Sequence, residues 1–168
     1  MQFTLVALLG LASLATATAP LEPWQVSRLG TFSPSGRPNS TTISVLNTTI
    51  SDPNDAVVPA AICVATFEAF EPYPYGDVVY KCSEVPGQLW SLRILEANNG
   101  NPSSPTTNFR LEFTQNKGAE GGVFVGAESF HVGDNMSGVC GGSGVCSWGL
   151  KAELVPVLVK QALVEVGV

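Results

Sequence analysis

Four cysteines, Cys63, Cys82, Cys140 and Cys146, and one histidine, His131, are the residues of this 168-residue chain best suited to covalent or metal chemistry. A zinc site needs thiolate and imidazole ligands at short paired spacings. One histidine and no pair of cysteines at two-residue spacing do not supply that, so no metal is expected. Disulfides are the other use of four cysteines, with three possible connectivities. The pairs expected are Cys63 with Cys82, on inward-facing positions of adjacent predicted strands, and Cys140 with Cys146, flanking a glycine-rich ring. In the chain-entropy view the first loop, of about 20 residues, contributes about 3 kcal/mol and the small ring about 2 kcal/mol.

Catalytic constellations are weak. His131, Asp134 and Ser143 contain the residue types of a serine-hydrolase triad, and Gly141, Gly142, Ser143 and Gly144 give the serine glycine neighbours. Such triads are assembled from separate loops around a backbone oxyanion hole, whereas these residues lie within one short segment. A loop histidine and a ring serine are expected instead. The chain has fourteen carboxylates, but their positions favour no acid and base pair of the glycosidase kind. Glu112 lies on an outward strand face, Glu68, Glu71 and Glu84 lie in or beside loops, and only Glu128, before Phe130, merits inspection. The expected mature N-terminus carries no histidine for a copper site. No catalytic residue and no cofactor is expected.

Aromatic residues suggest binding rather than turnover. Trp24, Trp90 and Trp148 could form a sugar-stacking platform, but Trp90 and Trp148 share strand faces with apolar residues and are expected in the core. Tyr73 and Tyr75 differ, because in EPYPYG alternating prolines stiffen a loop that can display the rings as a contact surface. Sequons occur at Asn39, Asn47 and Asn135, while Pro102 excludes Asn101. Asn39 and Asn135 fall in loops; Asn47 falls in a strand and must face outward to carry a glycan.

These residues need a scaffold, and the alternation of the chain describes one. Ile62 to Trp90 reads as strand, proline-rich loop, strand and strand, with Cys63, Ala65 and Phe67 on one face and Val78, Tyr80 and Cys82 on another. Further strands are read from Trp24 to Phe32, from Ile43 to Ile50 with Leu46 and Ile50 inward, at Trp90, Leu92 and Ile94, at Phe109, Leu111 and Phe113, and from Val123 to Val132. A change of apolar phase predicts a bulge at Gly126. Cys146, Trp148 and Leu150 start another strand, and Pro156 with the valines around it indicates one or two terminal strands. The sum is an all-β, single-domain sandwich or small barrel of about nine to eleven strands, stapled by disulfides.

Residues 1–17 read as a secretory signal peptide, with an apolar run from Phe3 to Leu14 and the small residues Ala15, Thr16 and Ala17 before the cut. The expected mature domain is 18–168, secreted and extracellular, where disulfides persist. The apolar run is too short to cross a bilayer, so no membrane partner is expected. The net charge of −6, with scattered cations, offers no stripe for phosphates, so nucleic acid is not an expected partner either.

The series WQVSRLGTFSPSGRP, ISVLNTTISDPN, a cysteine-bearing strand, CSEVPGQLW, FRLEF and GVCSWGLK resembles the Alt a 1-like (AA1-like) group of small secreted fungal proteins, which includes allergens and cell-death-eliciting effectors. The resemblance implies a compact β-fold with two internal disulfides and no catalytic centre. It also implies a non-enzymatic effector or elicitor role, with an unidentified host protein or cell-wall component bound through surface loops. Members that dimerise covalently use an extra cysteine near the mature N-terminus; this chain has none, so no covalent dimer is expected. The alternative is a carbohydrate-active protein, either a wall-glycan-binding module or a small hydrolase.

Overall fold

A computed structural model describes residues 20–164. The leader read at 1–17 and the last residues of the predicted terminal strands lie outside the described residues. Among the described residues eleven strands form two antiparallel sheets packed face to face, a sandwich rather than a closed barrel. In the first sheet β1 (Trp24–Ser33), β2 (Ile43–Ser51) and β3 (Ala61–Glu68) form a meander. The other edge of β1 is shared: its end pairs with β9 (Cys146–Leu150), which carries β8 (Met136–Cys140), and its beginning pairs with β10 (Val157–Val159). The second sheet has the order β11-β7-β6-β5-β4. It comprises β4 (Tyr80–Lys81), β5 (Leu89–Glu96), β6 (Asn108–Asn116), β7 (Val123–His131) and β11 (Gln161–Val164). A four-residue helical turn, α1 (Gly118–Gly121), sits in the β6–β7 connection.

The two-residue side-chain period explains why these segments pair. On β6, Phe109, Leu111 and Phe113 are fully buried, while Arg110, Glu112 and Thr114 alternate outward. Opposite them Trp90, Leu92 and Ile94 of β5 point inward, and Arg93 ion-pairs with Glu112 on the outer face. Leu46, Ile50, Cys63 and Phe67 complete the expected inward set from the first sheet. Each fully buried large apolar side chain contributes about 1.5–3 kcal/mol. Trp24 and Trp90 meet edge to face at 4.9 Å in the same core. Both expected disulfides are present, Cys63–Cys82 and Cys140–Cys146. The first ties β3 to the segment after β4, and so joins the two sheets at one edge.

Several expectations need correction. The second predicted strand shrinks to Tyr80–Lys81, Val78 is exposed, and Tyr80 and Cys82 are only half-buried. Here the chain crosses from one sheet to the other and has few residues left to pair. Trp148 is likewise half-buried, since β9 lies near the margin of its sheet. A strand that alternation did not reveal is β8, where side chains are small or exposed and Gly138 lets Trp148 lie against the backbone. The ending forms two strands in different sheets, turning between them at Lys160.

No bulge exists at Gly126. The β6–β7 register runs unbroken from Asn108 opposite His131 to Asn116 opposite Val123. The apolar phase changes because Val123 and Val125 lie on the outer face, while Phe124, Gly126 and Phe130 share the phase of Phe113 and Phe109. Glycine is required for room: a Cβ would stand 2.5 Å from the Lys160 carbonyl oxygen and 3.1 Å from Trp24. The irregular pairing is in β1, between Val26 and Arg28. Gly126→Ala should cost about 1–2 kcal/mol by overpacking, read as a fall of several degrees in the thermal midpoint. An unshifted midpoint would show that the crossing at Lys160 yields freely.

Candidate functional site

The loop 69–79 carries the chain from β3 to β4, between the sheets. Pro72 and Pro74 fix their own φ angles and supply no amide hydrogen, so the loop is held by the remaining donors. Tyr75 N donates to the Tyr73 carbonyl at 2.9 Å and Asp77 N to the Tyr75 carbonyl at 2.9 Å. Gly76, at φ 74°, donates to the Ile94 carbonyl at 2.8 Å, and Tyr75 makes an isolated bridge with Ile94 of β5. A stiff loop is therefore docked on the edge of the second sheet, inside the ring closed by Cys63–Cys82.

The two tyrosines take different places. Tyr75 packs on the core, and its buried hydroxyl has no hydrogen-bond partner. Burial first, then the neighbouring Tyr73, Glu96 and Glu71, pushes its pKa well up, which keeps the phenol neutral. Tyr73 stands edge-on to it at 5.7 Å and lines two open clefts. One, of about 540 Å³, has Glu71, Pro72, Tyr75 and Glu96 as its other walls. The second, of about 440 Å³, includes Glu68, Pro74, Asp77 and Val78. No lysine or arginine lines either cleft, and among the described residues none of these four carboxylates forms an ion pair. Phe70 and Val79 of the same loop are exposed. The result is a half-buried aromatic partition between electronegative hollows.

The other candidates are dispersed. His131 Nδ1 lies 3.1 Å from Asp134 Oδ2, beside the Met136 end of β8. Ser143 lies beyond the Cys140 end of the same strand, so about 13 Å or more of extended chain separates them. Glu128 shares the inward phase of Leu111, but its Oε1 accepts from Ser129 N at 2.8 Å. No cysteine is free, and no group of three or more metal-ligating side chains occurs among the described residues. Asn39 is exposed in a turn at φ 63°, Asn47 lies in β2, and Asn135 lies in the β7–β8 turn.

A buried polar network escaped the sequence reading. Lys117 Nζ is 2.7 Å from Asp52 Oδ2, and Asp52 Oδ1 accepts from Asn54 N and Nδ2. Gln88 donates to Asp55 at 2.7 Å and accepts from Trp90 Nε1 and Gln115 Nε2. The signal was available in part: Gln88 and Gln115 continue the inward phases of Trp90 and Phe113.

The chain matches no protein-family model, no curated protein and no solved structure.

Proposed function

We propose that this chain is a secreted, non-enzymatic binding protein of the effector, elicitor or allergen-like kind, which engages a host protein or cell-wall component through the loop 69–79. The observation that carries the reading is the position of Tyr73, a rigid aromatic between two clefts whose carboxylates have no cation partner among the described residues. A partner surface with an apolar or proline-rich ridge and flanking positive charge fits that arrangement. Because the loop is already held by Ile94 and by the bridge around it, little conformational entropy is lost on binding. Tyrosine also supplies large contact area with only two side-chain torsions to fix. The Alt a 1-like layout supports the secreted, catalytically silent part of the reading. No helix among the described residues is long and apolar enough to cross a membrane.

The variant that tests this is Tyr73→Ala alone, because Tyr75 belongs to the core and its removal would confuse stability with recognition. The thermal midpoint should move by only about 2 °C. Cell death or immune response after infiltration into leaves should fall about tenfold or more, as for loss of an interface anchor. An unchanged response removes the loop from the proposal. A second reading, a wall-glycan-binding module, draws on the pairing of an aromatic ring with Glu71 and Glu96 as acceptors for sugar hydroxyls. Retention on chitin, cellulose or glucan that is lost in Tyr73→Ala would favour it.

A further inference from the structure

The outer face of the first sheet holds an apolar surface with a sequon at its centre. Register places Val64, Asn47, Gly30 and Gly149 side by side across β3, β2, β1 and β9. Thr66, Val45 and Phe32 form the row on one side, and Ile62, Thr49 and Arg28 the row on the other. Ile62 is 54% exposed and Val64 49%, with Val45 and Phe32 half-buried. Asn47 and Thr49, the first and third residues of the sequon, lie on this face, whereas Thr48 between them is buried. Neither nitrogen nor oxygen of the Asn47 carboxamide has a hydrogen-bond partner among the described residues. Beside it, a Cβ on Gly30 would lie only 3.0 Å from Asn47 Oδ1. Gly30 and Gly149 leave a strip of bare backbone leading away from that carboxamide.

The other sequons lack this setting. Asn135 spends its carboxamide on the fold: Oδ1 accepts from His131 N at 3.0 Å and Nδ2 donates to the Ser129 carbonyl at 2.8 Å. These two bonds occupy the part of the β7 edge that β11, paired only with Val123 to Gly126, leaves open. Asn39 is exposed in a turn outside the sheets.

We propose that Asn47 carries an N-linked glycan whose first sugars lie along the Gly30–Gly149 strip and cover Val45 and Phe32 in the row beside it. This rests on the secreted reading, since the donor is a polyprenyl-diphosphate-linked oligosaccharide of the secretory compartment. The Asn47 Nδ2 forms a bond to the anomeric carbon and gives up one proton as the lipid diphosphate leaves. Transfer happens while the chain is still extended, so β2 is no obstacle. The folded sheet then holds the sugar outward, with space beside it. Sugar rings pack their C–H faces on Val45 and Phe32, and shield a surface that would otherwise favour association.

The test is secretion of the full chain from a eukaryotic host, behind its own leader and, in a second arm, with a host leader fused ahead of Thr18. Glycopeptide mapping should find Asn47 occupied. Enzymatic deglycosylation, Asn47→Gln and Thr49→Ala should each raise binding of a hydrophobic dye about twofold or more and promote loss of monomer. Asn39→Gln should do neither. If the chain fails to leave the cell with its own leader, the secreted reading falls while the second arm still decides this proposal. Asn47 recovered unmodified from the folded secreted protein overturns it. So does an occupied Asn47 whose removal leaves dye binding and monomer content unchanged.

Discussion

Replacing Cys63 and Cys82 together by alanine is expected to lower stability by about 3 kcal/mol, against about 2 kcal/mol for the Cys140 and Cys146 pair. The difference follows from ring size, with sequence separations of 19 and 6. For a chain of this size the larger loss corresponds to a fall of about 6–12 °C in thermal midpoint. The two bridges also differ in what they join. Cys140 and Cys146 face each other across a hairpin that its own ladder already holds. Cys63 and Cys82 link strands at the same edge of opposite sheets, supported by Ser83 N donating to the Ile62 carbonyl at 2.7 Å and Ile62 N donating to Ser83 Oγ at 2.9 Å. Loop 69–79 lies inside that ring. Its loss should make the loop more readily cleaved by protease and weaken recognition even below the unfolding transition, while loss of the hairpin bridge should leave recognition intact. Equal behaviour of the two double variants would show that the loop is held by Ile94 alone.

Much of the sandwich could be read from alternation, and the reason is visible in β5 and β6. Both have one face on the core and one in water, so a strict two-residue period records the burial directly. Where another constraint sets the residue, the period fails. Gly126 is fixed by a chain crossing at Lys160 that is distant in sequence, so the phase change there marks close packing and not a bulge. β8 has a glycine where Trp148 packs and exposed residues elsewhere, so it carries little hydrophobic signal. The loop EPYPYG was recognisable as stiff and aromatic from its prolines. Which tyrosine turns inward was not, because loops have no period, and Tyr75 is committed by its bridge to Ile94. That bridge also brings Glu96 to the cleft of Tyr73. The outward phase of Asn47 could be anticipated only as a condition; the glycines beside it come from two other strands and depend on register.

The Asp52 and Lys117 pair is the clearest case of a contact hidden from local reading, and its loss should cost about as much as the larger disulfide. Asp52 follows β2, and its side chain accepts from Asn54 N at the start of the 3-10 turn Pro53–Asp55; Lys117 follows β6, in the other sheet. Asp52 is nearly sealed, at 2% side-chain exposure, against 21% for Lys117. Burial alone would raise the Asp52 pKa. The Lys117 ammonium and the hydrogen bonds from Asn54 outweigh it and hold the carboxyl below its usual value. A pKa lowered by folding means that the ionised group stabilises the native state above the unfolded value of about 3.9. That stabilisation fades as pH falls below it and through the folded value. Asp52→Asn should therefore cost about 2–3 kcal/mol at neutral pH, since it strands a half-buried ammonium, and should flatten the acid limb of the stability curve. Lys117→Met keeps much of the apolar stem over Phe124, whose ring centre lies 5.5 Å from the ammonium. It should destabilise through the stranded carboxylate and move the acid transition to higher pH. The double variant should lose less than the sum of the two, because each single change leaves a buried charge that the other would remove. Additive losses, or an acid limb in Asp52→Asn that coincides with that of the native chain, would show that the pair does not join the sheets energetically.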